Sequence, residues 1–424
     1  MWNKPGAYSG DSVVEYLSRV VHRGVSEIIV EKEFVQLLES GRPLRLKQGF
    51  DPTRPDIHLG HAVGLRKLRQ LQDLGHQVIL IVGDWTAQIG DPSGQSITRP
   101  MLTPEEVKAN AQTYLEQFFK IVDPARAQVA WQSEWYGSFT LTDVIKLASR
   151  FTVAQMLARE DFAKRHSSGS PIAITEFLYP LLQAYDSVMV ESDVEFGGTD
   201  QKFNILLGRE LQSMMGQRPQ QVFLVPMLVG TDGTKKMSKS LDNYVGIDEP
   251  PNTMYGKLMS IPDPIILNYF ELLTDVPEEE LEVCRRKMAE QSINPLELKQ
   301  RLARDIVGQF HGAQAAAEAE EYFNRVVRGR QIPSDLPKAV LSPEHWDAPR
   351  DPVDLVVASG SVPSKMEAKR LVRQGAVELD GRVLQPGVKV TLDTSRSHVM
   401  KVGKLKFVEL APPVGSIEIK TTRT

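Results

Sequence analysis

The stretch DIHLGHAV, residues 56–63, places two histidines and a glycine at the start of a helix. The segment LRLKQGF (44–50) before it is a predicted strand, and an apolar helical pattern follows over roughly 58–74. The run HQVILIVGDW (76–85) is mostly apolar, which is typical of a buried parallel strand. Strand, loop, helix and strand in close succession predict a βαβ unit and therefore an α/β fold.

A helix that starts after a parallel strand is a good anion site, because its first N–H groups are unpaired and its dipole is positive there. His58 and His61 are three residues apart and share a face at that end. Imidazoles donate hydrogen bonds to phosphate oxygens, and Gly60 lets a flat ligand approach the backbone. The alternative is a structural pair, with one histidine capping the helix and the other packing.

A second motif, KMSKS, occupies residues 236–240 and follows the predicted strand QVFLVPMLVG (221–230). Lys235, Lys236 and Lys239 surround two serines in a loop that begins TDGT. Lysine is a compact cation with three donors, so such a loop is suited to closing over a polyphosphate. A charged surface turn is the alternative for this motif alone.

Composition narrows the class of protein. The chain has 424 residues, 41% of them hydrophobic and 25% charged, as in soluble proteins of two or three domains. Its single cysteine, Cys284, excludes an intrachain disulfide and a cysteine-based zinc cluster. There is no apolar run long enough for a membrane span and no pattern of a secretory signal. We therefore expect a cytoplasmic protein without a membrane partner.

The two signatures, in this order and each after a strand, resemble those with which class I aminoacyl-tRNA synthetases hold ATP. Other stretches extend the resemblance to bacterial tyrosyl-tRNA synthetases over nearly the whole chain. They are GFDPTRPDIHLGH (49–61), IGDPSG (89–94), EFLYPLLQAYD (176–186), GGTDQKFN (197–204) and KMSKSLDN (236–243). The resemblance implies a two-step reaction: tyrosine and ATP give tyrosyl-adenylate and pyrophosphate, and the tyrosyl group then passes to tRNA(Tyr).

The resemblance also implies which residues hold the nucleotide. The substrate carboxylate is the nucleophile, so catalysis would depend on positioning and on stabilising charge in the transition state. The catalytic residues at the phosphates would be His58, His61, Lys236 and Lys239. The ATP site would further include Asp51, Thr53, Gly60, Arg99, Asp200 and Ser240. ATP is expected to bring Mg²⁺, and neither a tightly bound cofactor nor a structural metal is expected.

The tyrosine pocket is predicted on one helix face. Tyr179, Gln183 and Asp186 are spaced four and three residues apart, and these polar groups would be costly on a purely apolar face. Tyr179 and Gln183 are expected to hold the substrate ammonium with Asp91, and Asp186 to accept from the phenol. The resemblance also places Gln201 near the substrate. Such a site reads a hydroxyl strongly enough that no editing domain is expected.

Two departures from the family pattern bear on these assignments. Lys47 and Gln48 stand where many members have a tyrosine that contacts the phenol and then a cysteine. We therefore expect another group to assist Asp186. Gln95 follows IGDPSG where others have lysine, and Arg99 is the candidate to replace that phosphate contact.

The predicted fold is a Rossmann-type class I catalytic domain over residues 1–245, with an inserted helical segment at about 125–190. The resemblance implies a helical anticodon-side domain at 246–335 and a homodimer formed through the insertion. A proline-rich linker is predicted at 336–351. A small α+β domain at 352–424 resembles S4-type RNA-binding domains.

Charge supports an RNA-binding role for this last part of the chain. Residues 350–424 carry 13 Lys and Arg against 8 Asp and Glu, a net charge of +5, whereas the whole chain has −4. A basic surface of this kind attracts phosphates. The candidate RNA-binding residues share one predicted helix: Lys365, Lys369, Arg370 and Arg373. A solvated basic helix is the alternative.

Three other functions compete with this one. A tryptophanyl-tRNA synthetase shares the GxDQ and KMSKS signatures, but the LQAYD helix and the basic C-terminal part favour tyrosine. A non-catalytic RNA-binding relative would be expected to have lost HLGH or KMSKS, and both are intact. A P-loop phosphotransferase is excluded because GxxxxGK[ST] is absent.

Overall fold

The first of two compact units is built around a mainly parallel sheet. The computed structural model describes residues 13–53, 56–91, 102–328, 336–362, 364–403 and 406–412. The strands of this sheet are β1 (Glu27–Ile29), β2 (Arg45–Phe50), β3 (Gln77–Val82), β4 (Ala127–Trp131), β5 (Val194–Gly198) and β6 (Gln221–Val225). Their order is β1–β6–β5–β2–β3–β4, and β1 pairs antiparallel with β6 at one edge.

The predicted βαβ unit forms as expected. Strands β2 and β3 pair in parallel from Arg45↔Gln77 to Phe50↔Val82. Strand β3 lies on one side of β2, and β5 lies on the other side, also parallel. Chain connections that leave a strand in opposite directions open a crevice beyond its carboxyl end, where ligands bind in α/β sheets. The α/β fold predicted from the sequence is confirmed.

Helices surround the sheet and fill the segment between β4 and β5. The helix that carries HLGH is α3, and an apolar cluster including Phe151, Leu181 and Leu211 holds the segment together. Helices from the start of the chain to that segment are α1 (Val13–His22), α2 (Glu31–Glu39), α3 (Leu59–Asp73), α4 (Thr86–Ile89), α5 (Pro104–Phe118), α6 (Ser133–Tyr136), α7 (Leu141–Ala148), α8 (Val153–Met156), α9 (Glu160–Ser167) and α10 (Ile174–Met189).

Further helices follow β5. They are α11 (Lys202–Met214), α12 (Pro251–Met259), α13 (Ile266–Leu273), α14 (Glu278–Ala289), α15 (Pro295–His311) and α16 (Ala313–Tyr322). The first compact unit comprises Met1–Pro250 and Lys257–Ala316. Residues 257–316 are therefore grouped with the sheet, whereas the sequence interpretation assigned 246–335 to a domain of its own; that division stays a prediction.

The second compact unit comprises Pro251–Gly256 and Ala317–Thr424. Its helices α17 (Glu344–Asp347), α18 (Pro352–Ala358) and α19 (Lys365–Arg373) surround a core that includes Trp346, Leu355 and Val372. Its sheet has the order β7–β11–β10–β8–β9, with strands β7 (Lys338–Val340), β8 (Val377–Leu379), β9 (Arg382–Val383), β10 (His398–Val402) and β11 (Lys406–Ala411).

One sequence-based assignment is wrong in its extent. The sequence of QVAWQSEW (128–135) by itself predicts a strand over the whole segment, but β4 ends at Trp131 and α6 begins at Ser133. Trp135 and Tyr136 are buried by packing beneath α10 rather than by strand alternation. In the part of the chain that the structure describes, no helix is long and apolar enough to cross a bilayer.

Candidate active site

A cavity of about 540 Å³ opens at the carboxyl ends of β2, β3, β5 and β6. It lies at the crevice expected from the strand order. The sequence-predicted site residues among its lining are Asp51, Thr53, His58, Gly60, His61, Asp91, Tyr179, Gln183, Asp186, Asp200, Gln201, Lys236 and Ser240. Residues up to almost 190 positions apart in the sequence thus line the same cavity and form a single site. Arg99 and Gln95 lie outside the described residues.

The HLGH turn fixes the tautomer of both histidines. His58 is the N-cap of α3: its Nδ1 accepts the Gly60 N–H at 3.2 Å, and His61 Nδ1 accepts the His58 N–H at 3.2 Å. The two rings stack with centroids 3.9 Å apart. A neutral imidazole whose Nδ1 accepts carries its proton on Nε2. Each histidine therefore keeps an Nε2–H donor for another partner.

Burial keeps these imidazoles neutral. It lowers the pKa of His61 to about 4 and lowers the pKa of His58 well below its ordinary value. Lys239 adds to both shifts because a nearby cation disfavours a second positive charge. At neutral pH, the HLGH turn offers neutral donors, and the cationic charge of the site belongs to the KMSKS loop.

Gly60 is required by its own neighbours. A Cβ at this position would lie 2.9 Å from Nδ1 and Cε1 of the His58 ring. That separation is too short for any side chain, so the cap made by His58 and the absence of a side chain at position 60 depend on each other. The sequence suggests glycine at position 60 because a ligand can then approach the backbone. The contact with the His58 ring is a second reason for glycine at this position.

The KMSKS loop is anchored by its middle residue. Met237 is buried, and its N–H donates to the Leu228 carbonyl at 2.8 Å. Its neighbour Lys236 remains 46% exposed and forms an ion pair with Asp200 at 3.2 Å. Lys236 therefore projects over the cavity from an anchored loop. A phosphate group would have to compete with Asp200 for this lysine.

The chain just after KMSKS is hydrogen-bonded to the turn that carries HLGH. The Leu59 N–H donates to the Val245 carbonyl at 2.9 Å, and the Ile247 N–H donates to the Ile57 carbonyl at 3.0 Å. Lys239 lies beside the lining rather than in it, and its Nζ donates to the Asp56 carbonyl. The chain after KMSKS therefore forms one structural block with HLGH.

Asp186 is held at the floor of the cavity by two N–H donors. Its Oδ2 accepts from Gln132 Nε2 at 2.8 Å, and its Oδ1 accepts from Trp135 Nε1 at 3.2 Å. The Tyr136 hydroxyl shares its one hydrogen between the Leu182 carbonyl at 2.7 Å and Asp186 Oδ1 at 3.3 Å. Burial raises the pKa of Asp186 to about 7, against the opposing effects of Lys47 and Gln132. Oδ2 keeps capacity for one more donor.

A second chain of hydrogen bonds links the predicted ammonium and nucleotide positions. The Tyr179 hydroxyl donates to Asp51 Oδ2 at 2.9 Å, and the Thr86 hydroxyl donates to Asp51 Oδ1 at 2.6 Å. Burial raises the pKa of Tyr179 well above its ordinary value, so the phenol remains a donor. On the opposite wall, Gln201 Nε2 donates to Asp91 Oδ2 at 2.8 Å.

The comparison with known proteins decides the family. A model of the class I tRNA synthetases for tryptophan and tyrosine matches residues 39–328. The tyrosine–tRNA ligase of Dehalococcoides mccartyi is 62% identical over 92% of this chain and 97% of that protein. The tyrosine–tRNA ligase of Thermotoga maritima is 52% identical over 93% of this chain and 96% of that protein. The chain belongs to the tyrosyl-tRNA synthetase family.

A solved structure supports the same family. The tyrosyl-tRNA synthetase from Archaeoglobus fulgidus, complexed with L-tyrosine, superposes with a TM-score of 0.60 at 26% identity. The match covers 73% of this chain and 100% of that one. The resemblance to tyrosyl-tRNA synthetases drawn from the motifs is confirmed, and these relatives carry the name of the tyrosine enzyme, not that of the tryptophan alternative.

An S4 domain model matches residues 352–394, which confirms the S4-like part of this synthetase. The four predicted RNA-binding residues are exposed on α19. Two of them are in ion pairs: Lys365 with Asp354 at 2.8 Å, and Arg370 with Glu367. Lys369 and Arg373 are one helical turn apart, and neither is in an ion pair among the described residues.

Sequence reasoning missed the residues that support the site from behind. Gln132, Trp135 and Tyr136 surround Asp186. The first two come from the segment 128–135 that was assigned to a strand, and Tyr136 follows it directly. Thr86 is another residue that the sequence did not indicate: its hydroxyl donates to Asp51 and its N–H donates to Gln132. The signal available was the aromatic cluster WQSEWY directly after an apolar strand, because buried indole and phenol groups need a polar partner.

Proposed function

We propose that this cavity activates tyrosine with ATP and then transfers the tyrosyl group to tRNA(Tyr), so that the chain is a tyrosine–tRNA ligase. The proposal depends on one observation: residues of HLGH and of KMSKS line the same cavity, and the buried carboxyl group of Asp186 lies at its floor. Family membership supports the ligase, and an S4 domain supports an RNA substrate.

The proposed reaction needs no nucleophilic side chain. A carboxylate oxygen of tyrosine attacks the α-phosphorus of ATP, the bond to the leaving pyrophosphate breaks, and tyrosyl-adenylate forms. A ribose hydroxyl at the 3′ end of tRNA then attacks the adenylate carbonyl carbon and gives up its proton, and AMP leaves with the electron pair of the broken carbon–oxygen bond, so that its phosphate can accept that proton. Positioning and charge stabilisation supply the catalysis.

The phosphates face two kinds of group in this proposal. The Nε2–H donors of His58 and His61 contact phosphate oxygens as charge develops on them. Lys236 leaves its ion pair with Asp200 and binds a phosphate group instead. Lys239, which lies beside Asp56, adds a second positive charge. Asp51, Thr53, Gly60, Asp200 and Ser240 complete the ATP site, as Arg99 would from outside the described residues.

Tyrosine occupies the deeper part of the cavity. Asp186 accepts the phenol hydroxyl, while Tyr179, Gln183, Asp91 and Gln201 surround the ammonium. Mg²⁺ enters with ATP as part of the substrate. Among the described residues no group of three His, Cys, Asp or Glu side chains is placed to hold a metal ion. We also place the enzyme in the cytoplasm, where ATP and tRNA are present together.

The test is exchange of labelled pyrophosphate into ATP, with tyrosine, tryptophan and phenylalanine supplied separately. Exchange with tyrosine alone supports adenylate formation and the assignment of Asp186 together. Exchange with tryptophan would contradict the pocket assignment, and no exchange with any amino acid would contradict the catalytic proposal. Charging of tRNA(Tyr) by the same preparation then tests the second step.

Replacing Lys236 with alanine is expected to lower kcat for exchange by roughly 100-fold, because one charge-assisted hydrogen bond to the phosphates is removed from the transition state. The KM for tyrosine should stay within about twofold, since Lys236 lies at the nucleotide end. Lys235→Ala is the matched control, because Lys235 is the adjacent lysine but does not line the cavity. Equal losses in both variants would contradict the assignment.

We propose a homodimer formed through the segment between β4 and β5. Five large apolar side chains are exposed there: Leu141 at 75%, Ile145 at 59%, Val153 at 63%, Ile174 at 81% and Met189 at 43%. Exposed apolar groups gathered on one segment are typical of an interface.

Replacing Ile145 with aspartate should therefore convert a dimer into a monomer at micromolar concentration, because a charge cannot be buried without a partner. Light scattering after size exclusion gives the mass directly. Val383→Asp, an equally drastic change at an exposed site in the other compact unit, is the control and should leave the dimer intact. A monomeric parent protein would contradict the proposal.

Replacing Lys369 and Arg373 together with alanine is expected to weaken tRNA binding and to reduce its salt dependence, with the slope falling by about one for each phosphate that is no longer neutralised. Pyrophosphate exchange should not change, because that step needs no tRNA. Lys365→Ala, on the same helix but with its charge already paired, should have a smaller effect. Filter binding at several salt concentrations measures all three proteins, and an unchanged slope would point to a solvated helix.

A further inference from the structure

An ion pair lies buried behind the substrate cavity. Lys47 on β2 and Glu195 on β5 are partners in the strand register, and their side chains are 0% and 1% exposed. Nζ and Oε1 are 3.0 Å apart. Lys47 is not part of the cavity lining, so it does not take over the phenol contact that many family members make from this position. A buried ion pair seldom stabilises a fold more than apolar side chains of similar volume would, so we expect this pair to have a role other than stability.

Hydrogen bonds saturate the pair. Lys47 Nζ donates to Glu195, to the Ser187 hydroxyl at 2.7 Å and to the Gln183 carbonyl at 2.9 Å. Glu195 also accepts from Ser187 Oγ at 3.0 Å, from Gln183 Nε2 at 3.1 Å and from Gln220. All three donors of the ammonium are used, and both carboxylate oxygens have protein partners.

This network determines which way the Gln183 amide points. An ionised carboxylate can only accept hydrogen bonds, so the NH₂ group of Gln183 must face Glu195. Gln183 Oε1 then points away from the ion pair. Gln183 lines the cavity, and its buried Oε1 has no hydrogen-bond partner among the described residues. A buried acceptor left unmatched by protein is an acceptor available to a ligand.

We propose that Lys47 and Glu195 are a positioning pair that holds Gln183 with Oε1 toward the substrate ammonium. The inference rests on the proposed function, in which Gln183 contacts that ammonium. Glu195 Oε1 accepts from both Lys47 Nζ and Gln183 Nε2, so Lys47 keeps an acceptor oxygen on the side of residue 195 that faces Gln183. With methionine at 47 and glutamine at 195, an NH₂ group on that side would donate to Gln183 Oε1, and the Gln183 amide would then turn its own NH₂ group, a donor, toward a cation.

The experiment compares two ligands that differ at the ammonium end. Tyrosinol keeps the ammonium and the phenol, whereas 3-(4-hydroxyphenyl)propionate keeps the phenol and lacks the ammonium. Dissociation constants are measured by calorimetry for the full chain, for Glu195→Gln and for the double variant Lys47→Met/Glu195→Gln, which leaves no unpaired charge behind and should fold. Glu176→Gln, in the buried pair with Arg165, is the control.

The double variant should bind tyrosinol on the order of 10-fold more weakly, as expected for a lost hydrogen bond to a charged group. Glu195→Gln alone should stay within about twofold of the parent, because Lys47 still holds an oxygen of residue 195 toward Gln183. The propionate should bind within about twofold of the parent, and the ratio of the two constants should not change in Glu176→Gln. Changes in the charge around Asp186 affect both ligands through their shared phenol and cancel in this ratio.

Equal weakening of both ligands, or no change in a folded double variant, would overturn the positioning role. Those results leave tyrosine activation by the parent chain intact. A parent chain that binds neither ligand and supports no tyrosine-dependent exchange would instead overturn the proposed function, and this inference with it.

Discussion

Replacing Asp186 with asparagine is expected to lower kcat/KM for tyrosine activation by on the order of 100-fold, the effect of losing a hydrogen bond to a charged acceptor. One oxygen becomes an NH₂ donor. Gln132 cannot turn to accept from it, because Gln132 Oε1 already accepts the Thr86 N–H at 2.9 Å. Sites that read a hydroxyl reject the analogue without it by about 10⁴–10⁵-fold, and tyrosyl-tRNA synthetases are the known example.

Phenylalanine is the internal control for this variant. It lacks the hydroxyl, so its kcat/KM should change by less than about threefold, and the ratio between the two amino acids should fall accordingly. Pyrophosphate exchange with each substrate gives both values from one preparation. Parallel losses for tyrosine and phenylalanine would mean that the variant disturbs the fold rather than the reading of the hydroxyl.

The pH dependence gives an independent check on Asp186. Its pKa of about 7 in the unliganded protein means that the carboxylate, the better acceptor, predominates above neutrality. As the pH falls through 7, a proton occupies one acceptor position, and kcat/KM for tyrosine should decrease, because this parameter reports ionisation of the free enzyme. The inflection should be absent from Asp186→Asn and from the phenylalanine profile.

Replacing His61 with alanine is expected to lower kcat for exchange by about 10²–10³-fold, the range for removal of one donor that faces developing charge. The KM for tyrosine should change little, because the ring lies at the nucleotide end of the cavity. The variant also loses the acceptor for the His58 N–H at the start of α3. A thermal unfolding measurement therefore accompanies the kinetics.

His61→Gln separates the donor from the ring. The glutamine amide reaches the position of Nε2 and can restore a neutral donor there, so it should recover part of the lost kcat. Because the pKa of His61 is about 4, its imidazole is neutral throughout pH 6–8 and should add no inflection to the parent profile in that range. A parent profile that requires a protonated histidine near pH 6 would contradict the neutral-donor role.

The βαβ unit was predictable because each of its elements has a local signal. Strand β2, helix α3 and strand β3 alternate between apolar runs and a helical period, and the observed bounds lie within about three residues of the predicted ones. Tyr179, Gln183 and Asp186 were also accessible from spacing, since residues three and four apart share a helix face. These features depend on neighbours along the chain.

Features that depend on residues far apart in the chain were not predictable. The polar side chains around Asp186 come from 50 or more positions away, and Glu195 meets Lys47 only because β5 pairs with β2. The hydrogen bonds between residues 57–59 and 245–247 are equally invisible in a linear pattern. The sequence showed Lys47 as a departure from the family without showing its partner.

The contact between His58 and position 60 has an evolutionary consequence. Any side chain at Gly60 would collide with the His58 ring, so a change at 60 becomes sterically acceptable only after His58 has been replaced by something smaller. That first change removes both the helix cap and a proposed phosphate donor. We therefore expect the two positions to be epistatic, so that the effect of a substitution at 60 depends on which residue stands at 58.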